Sequence, residues 1–107
     1  MHIDPQHLEW VRAILRDLIP RQEVWAFGSR IHGRGRKPFS DLDLAVISER
    51  PLDLALRAAL RDAFSESDLP FQVDVVDWAT TSAEFRAVIE REHETVQEAA
   101  AAEAPVN

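Results

Sequence analysis

The chain has 107 residues, enough for one hydrophobic core and one domain, and its 46% apolar and 29% charged residues exclude a disordered protein. It has no cysteine, which excludes disulfides and thiolate metal sites and predicts a cytoplasmic protein. The net charge of −7 argues against general binding to nucleic acid backbones.

The N-terminal segment predicts an amphipathic helix and not a signal peptide, because it has no basic start followed by an apolar core. Asp4 and Pro5 are preferred residues at an N-cap and at the first helical position. Pro20 ends the helix. Apolar residues recur at helical spacing and predict its buried face: Leu8, Val11, Leu15 and Leu18. No apolar run approaches the roughly 20 residues that cross a bilayer, so we expect no membrane insertion.

A short apolar and β-prone segment, residues 24–27, predicts a buried strand that ends at Gly28 and Ser29. Residues 30–39 follow as a loop, part of which can form a helical turn starting at Ser29. This loop holds four of the twelve basic residues, Arg30, Arg34, Arg36 and Lys37. Such a concentration of cations in an acidic protein predicts that the loop can bind a small anion, with a solvated loop as the alternative interpretation.

Four more elements are predicted along the chain. Residues 41–47 alternate and then continue as an apolar run, which predicts a second strand. Pro51 starts a helix that we expect to run through Phe64, and residues 71–78 form a third strand rich in β-branched and aromatic side chains. Ser82 is the predicted N-cap of a last helix. The predicted buried residues of that helix are Phe85, Val88 and Ile89.

The order of these elements predicts an α/β fold in which a small mixed β-sheet packs against helices. The connection between the first two strands is too short for a parallel crossover, which favours a mixed sheet. Beyond about Gln97 the sequence is rich in alanine and predicts a helical extension or a disordered tail. We therefore expect a single domain over residues 1–97 and a tail over residues 98–107.

Asp41 and Asp43 are the strongest chemical signal in the sequence. Alternate residues of a strand point to the same face, so these carboxylates lie side by side, while Leu42 and Leu44 face the core. Adjacent carboxylates repel one another, and a divalent cation removes that repulsion. Hard oxygen ligands of this kind suit Mg²⁺, which takes its other ligands from water and substrate phosphates. An exposed polar face would also explain the pair taken alone.

Asp74 supplies a third carboxylate, from an otherwise apolar stretch of the third strand. If the second and third strands are neighbours, Asp74 lies close to the aspartate pair of the second strand. Three carboxylates can hold two Mg²⁺ ions about 3.5 to 4 Å apart, as in displacement reactions at phosphorus. Asp77 is the rival acid on this strand, but it faces the other side and is interpreted as a strand-end or turn residue.

Gly28 and Ser29 form a second signal at the end of the first strand. Glycine lets a backbone N–H approach phosphate closely, and the serine hydroxyl can bind a phosphate oxygen. A glycine-serine pair is weak evidence alone. It gains force because it precedes the basic loop and stands shortly before Asp41.

The order of these motifs resembles that of the nucleotidyltransferase superfamily that includes DNA polymerase beta. GSRIHGRGRKPFSDLDLAV is followed by VDVV, so a glycine-serine pair, a spacer, a DxD pair and a third carboxylate occur in the superfamily's order. The resemblance covers roughly residues 24–78. The matching core positions are Gly28, Ser29, Ser40, Asp41, Asp43 and Asp74.

The small size of the chain looks like the minimal nucleotidyltransferase (MNT) group of this superfamily. That resemblance implies an antitoxin that is encoded beside a HEPN-domain ribonuclease toxin and silences it by transferring AMP from ATP to a tyrosine. It also implies a hetero-oligomer of the two proteins. Partner and substrate follow from the resemblance and not from composition or spacing.

Each site residue then has a predicted role in nucleotide transfer to a hydroxyl. Asp41 and Asp43 bind Mg²⁺, while Asp74 completes a second Mg²⁺ site and helps to deprotonate the attacking hydroxyl. The predicted nucleotide-binding residues are Gly28, Ser29, Arg30 and Ser40.

Two other functions compete with this one. The chain could be a non-catalytic antitoxin that neutralises its partner by occlusion, although buried acids without a metal would then only lower its stability. It could also modify a small molecule such as an aminoglycoside, which would require a second element to hold that substrate.

Overall fold

A mixed four-stranded sheet carries helices on both of its faces in the computed structural model, which describes residues 2–28, 31 and 41–99. The described helices are α1 (Pro5–Leu18), α2 (Leu54–Ser65) and α3 (Ala83–Arg91), with a short 3₁₀ turn at Trp78–Thr80. The described strands are β1 (Glu23–Phe27), β2 (Leu42–Ile47), β3 (Val73–Asp77) and β4 (His93–Gln97). None of the described helices has the length and apolar character needed to span a membrane.

The strands lie in the order β3-β2-β1-β4. β1 is antiparallel to both of its neighbours, whereas β3 is parallel to β2 and is reached through α2. The mixed sheet predicted from the short first connection is therefore confirmed. The second and third strands are neighbours, which is the condition under which Asp74 was expected to lie close to the aspartate pair.

Helix α1 begins where its sequence predicts. The Asp4 side chain accepts a hydrogen bond of 2.8 Å from the Gln6 N–H, and Pro5 follows as the first helical residue. Val11 and Leu15 are fully buried, while Leu8 and Leu18 pack at the margin of the same cluster.

Alternation along the strands divides the apolar residues between the two faces of the sheet. The face under α1 and α2 holds the larger core, which includes Val24, Ala26, Leu42, Leu44 and Val46 from the strands. The opposite face holds a smaller cluster of Phe27, Ala45 and Ile89, with Trp25 and Trp78 packed against it.

Two of the three buried residues predicted for the last helix were wrong. Ser82 does cap α3, since its hydroxyl accepts a hydrogen bond from the Phe85 N–H at 3.1 Å. However, Ile89 is its buried residue, while Phe85 is 41% and Val88 52% exposed. A helix this short turns only a narrow stripe towards the sheet. Phe85 lies at the margin of that stripe, where its ring packs edge-on against Phe27 at a centroid distance of 5.7 Å, while Val88 lies further outside.

β4 was not predicted from the sequence, where no strand was expected after Ser82. Its sequence, HETVQ, has weak strand propensity, so the structure here is decided by pairing with the open edge of β1. Long-range hydrogen bonds hold it: Arg12 Nε donates to the Val96 carbonyl at 3.1 Å, and Gln97 Nε2 donates to the Ile19 carbonyl at 2.8 Å.

The second helix begins at Leu54, three residues later than predicted from Pro51, and ends at Ser65. Leu52 thus precedes the helix, although it still packs against the larger core. Residues 100–107 lie outside the described residues, so the division between a domain over residues 1–97 and a tail stays a prediction.

Candidate active site

The predicted carboxylates meet at the end of the sheet where β2 begins. Asp41 directly precedes β2, and Asp43 is its second residue. In the parallel pairing of β2 with β3, the register partner of Asp43 is Asp74. Register partners on adjacent strands lie about 4.8 Å apart and point to the same face. The three carboxylates therefore share one face, opposite the buried leucines of β2.

Partial burial and the charges within this cluster raise the pKa values of two of its carboxyl groups, Asp43 and Asp74. Partial burial, followed by the negative charges of Asp74 and Asp41, raises the pKa of Asp43 from 3.8 to about 6. Partial burial also raises the pKa of Asp74, together with the charge of Asp41 and a hydrogen bond between those two side chains. The cluster would be stabilised by a cation bound among its oxygens.

Gly28 closes the site on the side of β1. Its φ of +90° is a conformation that side chains disfavour, and its carbonyl accepts a hydrogen bond of 2.9 Å from the Ile31 N–H. A Cβ atom at this position would lie only 2.5 Å from Asp43 Oδ2. The backbone thus turns directly against the central carboxylate of the cluster, and only glycine leaves room for it.

The other predicted nucleotide-binding residues lie outside the described residues. These are Ser29, Arg30 and Ser40, together with the remaining cations of the basic loop, Arg34, Arg36 and Lys37. Their roles stay predictions.

The donor set of the site fits a hard divalent cation, since it consists of carboxylate oxygens. Partial burial, together with the negative charges of neighbouring carboxylates, raises the pKa of Asp43 and that of Asp74. Within residues 2–28, 31 and 41–99, no group of three or more His, Asp or Glu side chains is placed to hold a metal ion by itself. Mg²⁺ typically keeps several water ligands and shares substrate phosphates. The arrangement therefore suits a cation that binds together with a nucleotide.

Asp77 lies on the opposite face of β3, as its spacing from Asp74 predicts, but it is more than a strand-end residue. It is only 2% exposed. Its Oδ1 accepts a hydrogen bond from the Leu52 N–H at 3.2 Å, and its Oδ2 pairs with Arg57 Nη1 at 3.3 Å. Asp77 thus fastens the start of α2 to the sheet, a contact that was not predicted from the sequence.

The metal-free protein is expected to lose stability as the pH rises from about 4 to about 7, because the pKa of Asp43 is raised on folding. In this window the folded state holds a proton that the unfolded state has released, so raising the pH favours unfolding. Solvent screens this half-buried group, and we expect a loss on the order of 1 kcal/mol. Urea unfolding in EDTA at several pH values measures it. Asp43→Asn should make the free energy of unfolding less dependent on pH. Parallel pH profiles of the variant and the wild type would contradict the prediction.

The sequence of this chain matches a known protein family and a relative within it. Residues 11–100 match the family described as polymerase beta, nucleotidyltransferase. A relative from Haemophilus influenzae, named as probable protein adenylyltransferase MntA, is 52% identical over 98 residues, which are 92% of this chain and 85% of the relative.

Solved structures with a similar fold include two toxin–antitoxin assemblies. One, described as a toxin–antitoxin with AMP-PNP, has a TM-score of 0.71 at 26% identity, over 87% of this chain and 74% of that one. The other, a tri-AMPylated Shewanella oneidensis HEPN toxin in complex with an MNT antitoxin, has a TM-score of 0.63 at 26% identity, over 85% and 69% of the two chains.

Proposed function

This chain belongs to the polymerase beta nucleotidyltransferase family, and on that basis we propose that it is an antitoxin that transfers AMP from ATP to a hydroxyl of a HEPN-domain toxin. The observation that carries the proposal is the register of β2 with β3, which sets Asp43 beside Asp74 on the face shared with Asp41. We also propose that the reaction takes place in the cytoplasm, where ATP is available to the enzyme.

Each aspartate of the cluster has its own proposed role in the transfer. Asp41 and Asp43 would hold one Mg²⁺, and Asp74 would complete a second site. When bound, the metal supplies positive charge that offsets the charge of the phosphates. The turn at Gly28 offers backbone N–H groups to the phosphate oxygens, with Ser29, Arg30 and Ser40 as further phosphate ligands.

The reaction itself is a displacement at the α-phosphorus of ATP. The acceptor oxygen forms a bond to this phosphorus while the bond to pyrophosphate breaks, so the acceptor becomes an AMP ester and pyrophosphate leaves. We propose that Asp74 accepts the proton of the attacking hydroxyl. Its pKa is raised and therefore lies closer to neutral pH than that of an ordinary aspartate.

Intact mass of the partner tests the function. The chain is incubated with the HEPN-domain protein that is encoded with it, ATP and Mg²⁺, and the partner should gain the mass of one or more AMP groups. Omission of Mg²⁺ with EDTA should prevent the change. An unmodified partner that is nevertheless neutralised would establish the occlusion mechanism instead.

Asp74→Asn and Asp77→Asn are expected to separate chemistry from stability. Asp74 is exposed, so its substitution should abolish transfer with little change in stability. Asp77→Asn loses a buried ion pair and should lower the free energy of unfolding by about 1–3 kcal/mol while transfer continues at temperatures where the protein is folded. Pyrophosphate release and thermal unfolding measure the two effects. The reverse ranking would show that the catalytic acid has been misassigned.

A further inference from the structure

β3 is an outer strand of the described sheet, and part of its backbone faces away from β2. The Leu42 N–H donates to the Gln72 carbonyl at 2.9 Å, so residue 72 presents its polar backbone groups to β2. Backbone direction alternates along a strand, which turns the N–H and C=O groups of Val73 and Val75 outwards. Among the described residues no strand pairs with this edge. An open edge of this kind can accept another chain as an added strand.

A groove of about 450 Å³ runs between this edge and α2. Leu54, Arg57, Ala58 and Arg61 line it along the helix. The Leu54 side chain is 81% exposed, the highest value among the exposed large apolar residues of the described chain. Arg61 is exposed and has no hydrogen-bond or ion-pair partner among the described residues. The groove thus offers an apolar contact and positive charge beside an open strand edge.

Asp74 connects this groove with the candidate active site, because it lines the groove and also belongs to the carboxylate cluster. An added strand would place one side chain on the face of Asp74. The residues before and after it would point to the opposite face, where α2 packs. β4, the other outer strand, lies three strand spacings away, about 14 Å, and cannot present a chain to Asp74.

We propose that the β3 edge is the docking site for the acceptor segment of the partner, which adds to the sheet as an extended strand with its hydroxyl beside Asp74. Acidic residues next to the acceptor contact Arg61, and an apolar residue contacts Leu54. The choice of an acidic segment follows from charge complementarity, since Arg61 lines this groove without an ion-pair partner among the described residues, whereas Arg57 is paired with Asp77. This inference rests on the proposed transfer to a protein hydroxyl.

Charge reversal in the groove tests the docking. Arg61→Glu should raise the KM for the HEPN-domain partner about tenfold, with a much smaller change in kcat at saturating partner, because it removes attraction and adds repulsion. Leu54→Glu should act in the same direction. Arg16 is likewise an exposed arginine, on α1, so Arg16→Glu is the matched control and should leave the KM within about twofold. An Arg61→Glu variant that matches this control would overturn the proposal.

Synthetic tyrosine peptides test the predicted chemistry of the segment. A peptide whose central tyrosine is flanked by glutamates should be modified faster than one flanked by lysines, and Arg61→Glu should reverse this preference. Equal rates for both peptides, or modification of neither while the partner is modified independently of Arg61, would contradict docking of an acidic strand.

Amide hydrogen exchange, measured by NMR, tests docking at the β3 edge independently of AMP transfer. In the free chain, the outward amides of Val73 and Val75 should exchange faster than those of Asp74 and Val76, which point to β2. Binding of the HEPN-domain protein should protect the outward pair. Protection without AMP transfer would support the docking site and refute the proposed function. Transfer without protection would refute the docking site alone.

Discussion

Asp43→Asn is expected to lower AMP transfer by about 10³-fold, because it removes a carboxylate from the proposed metal site, where a bound metal would offset several kcal/mol of phosphate repulsion. Asp43 is the central member of the cluster: its register partner is Asp74, and its Oδ2 lies against Gly28. The variant should remain folded. Without metal at neutral pH it should be at least as stable as the wild type, since the substitution removes a carboxylate whose pKa is raised to about 6.

The measurement is pyrophosphate release with ATP, Mg²⁺ and the HEPN-domain partner, together with urea unfolding in EDTA. Asp62→Asn is the control, because Asp62 is an exposed aspartate on α2 for which no change of either quantity is expected. Transfer within tenfold of the wild type would show that Asp43 is not part of the catalytic site.

Gly28→Ala is expected to lower transfer by at least about 10²-fold and the free energy of unfolding by about 1–3 kcal/mol. The new Cβ would lie 2.5 Å from Asp43 Oδ2 at a φ of +90°. Either the Asp43 carboxylate or the turn must move, and a small displacement of such a group costs much of the rate.

A double-mutant cycle with Asp43→Ala separates the steric contact with the Asp43 carboxylate from the strain of the positive φ. Without the carboxylate, the nearest atom of residue 43 to the new Cβ is its own Cβ at 3.7 Å, which is an ordinary contact. In that background Gly28→Ala should cost only the conformational strain, about 1 kcal/mol. Urea unfolding of the four proteins measures the coupling. Strict additivity would show that the close approach to Asp43 does not determine the need for glycine.

Local features of the fold could be predicted from the sequence because they depend on neighbours in the chain. Asp4 and Pro5 determine the start of α1, and Ser82 determines that of α3. The period of two along β2 places Asp41 and Asp43 on one face. The glycine-serine pair, the DxD motif and the third carboxylate likewise indicate the family, because their order and spacing belong to the chain itself.

The tertiary structure decided whatever depends on contacts between distant residues. HETVQ forms a strand only because β1 offers it an open edge, and Val88 is exposed because α3 turns Ile89 to the sheet. The pairing of Asp43 with Asp74, the approach of Gly28 to Asp43 and the groove at the β3 edge follow from strand order and register. Side-chain alternation determines which face a residue occupies, but strand order and register are set by burial and pairing across the whole chain.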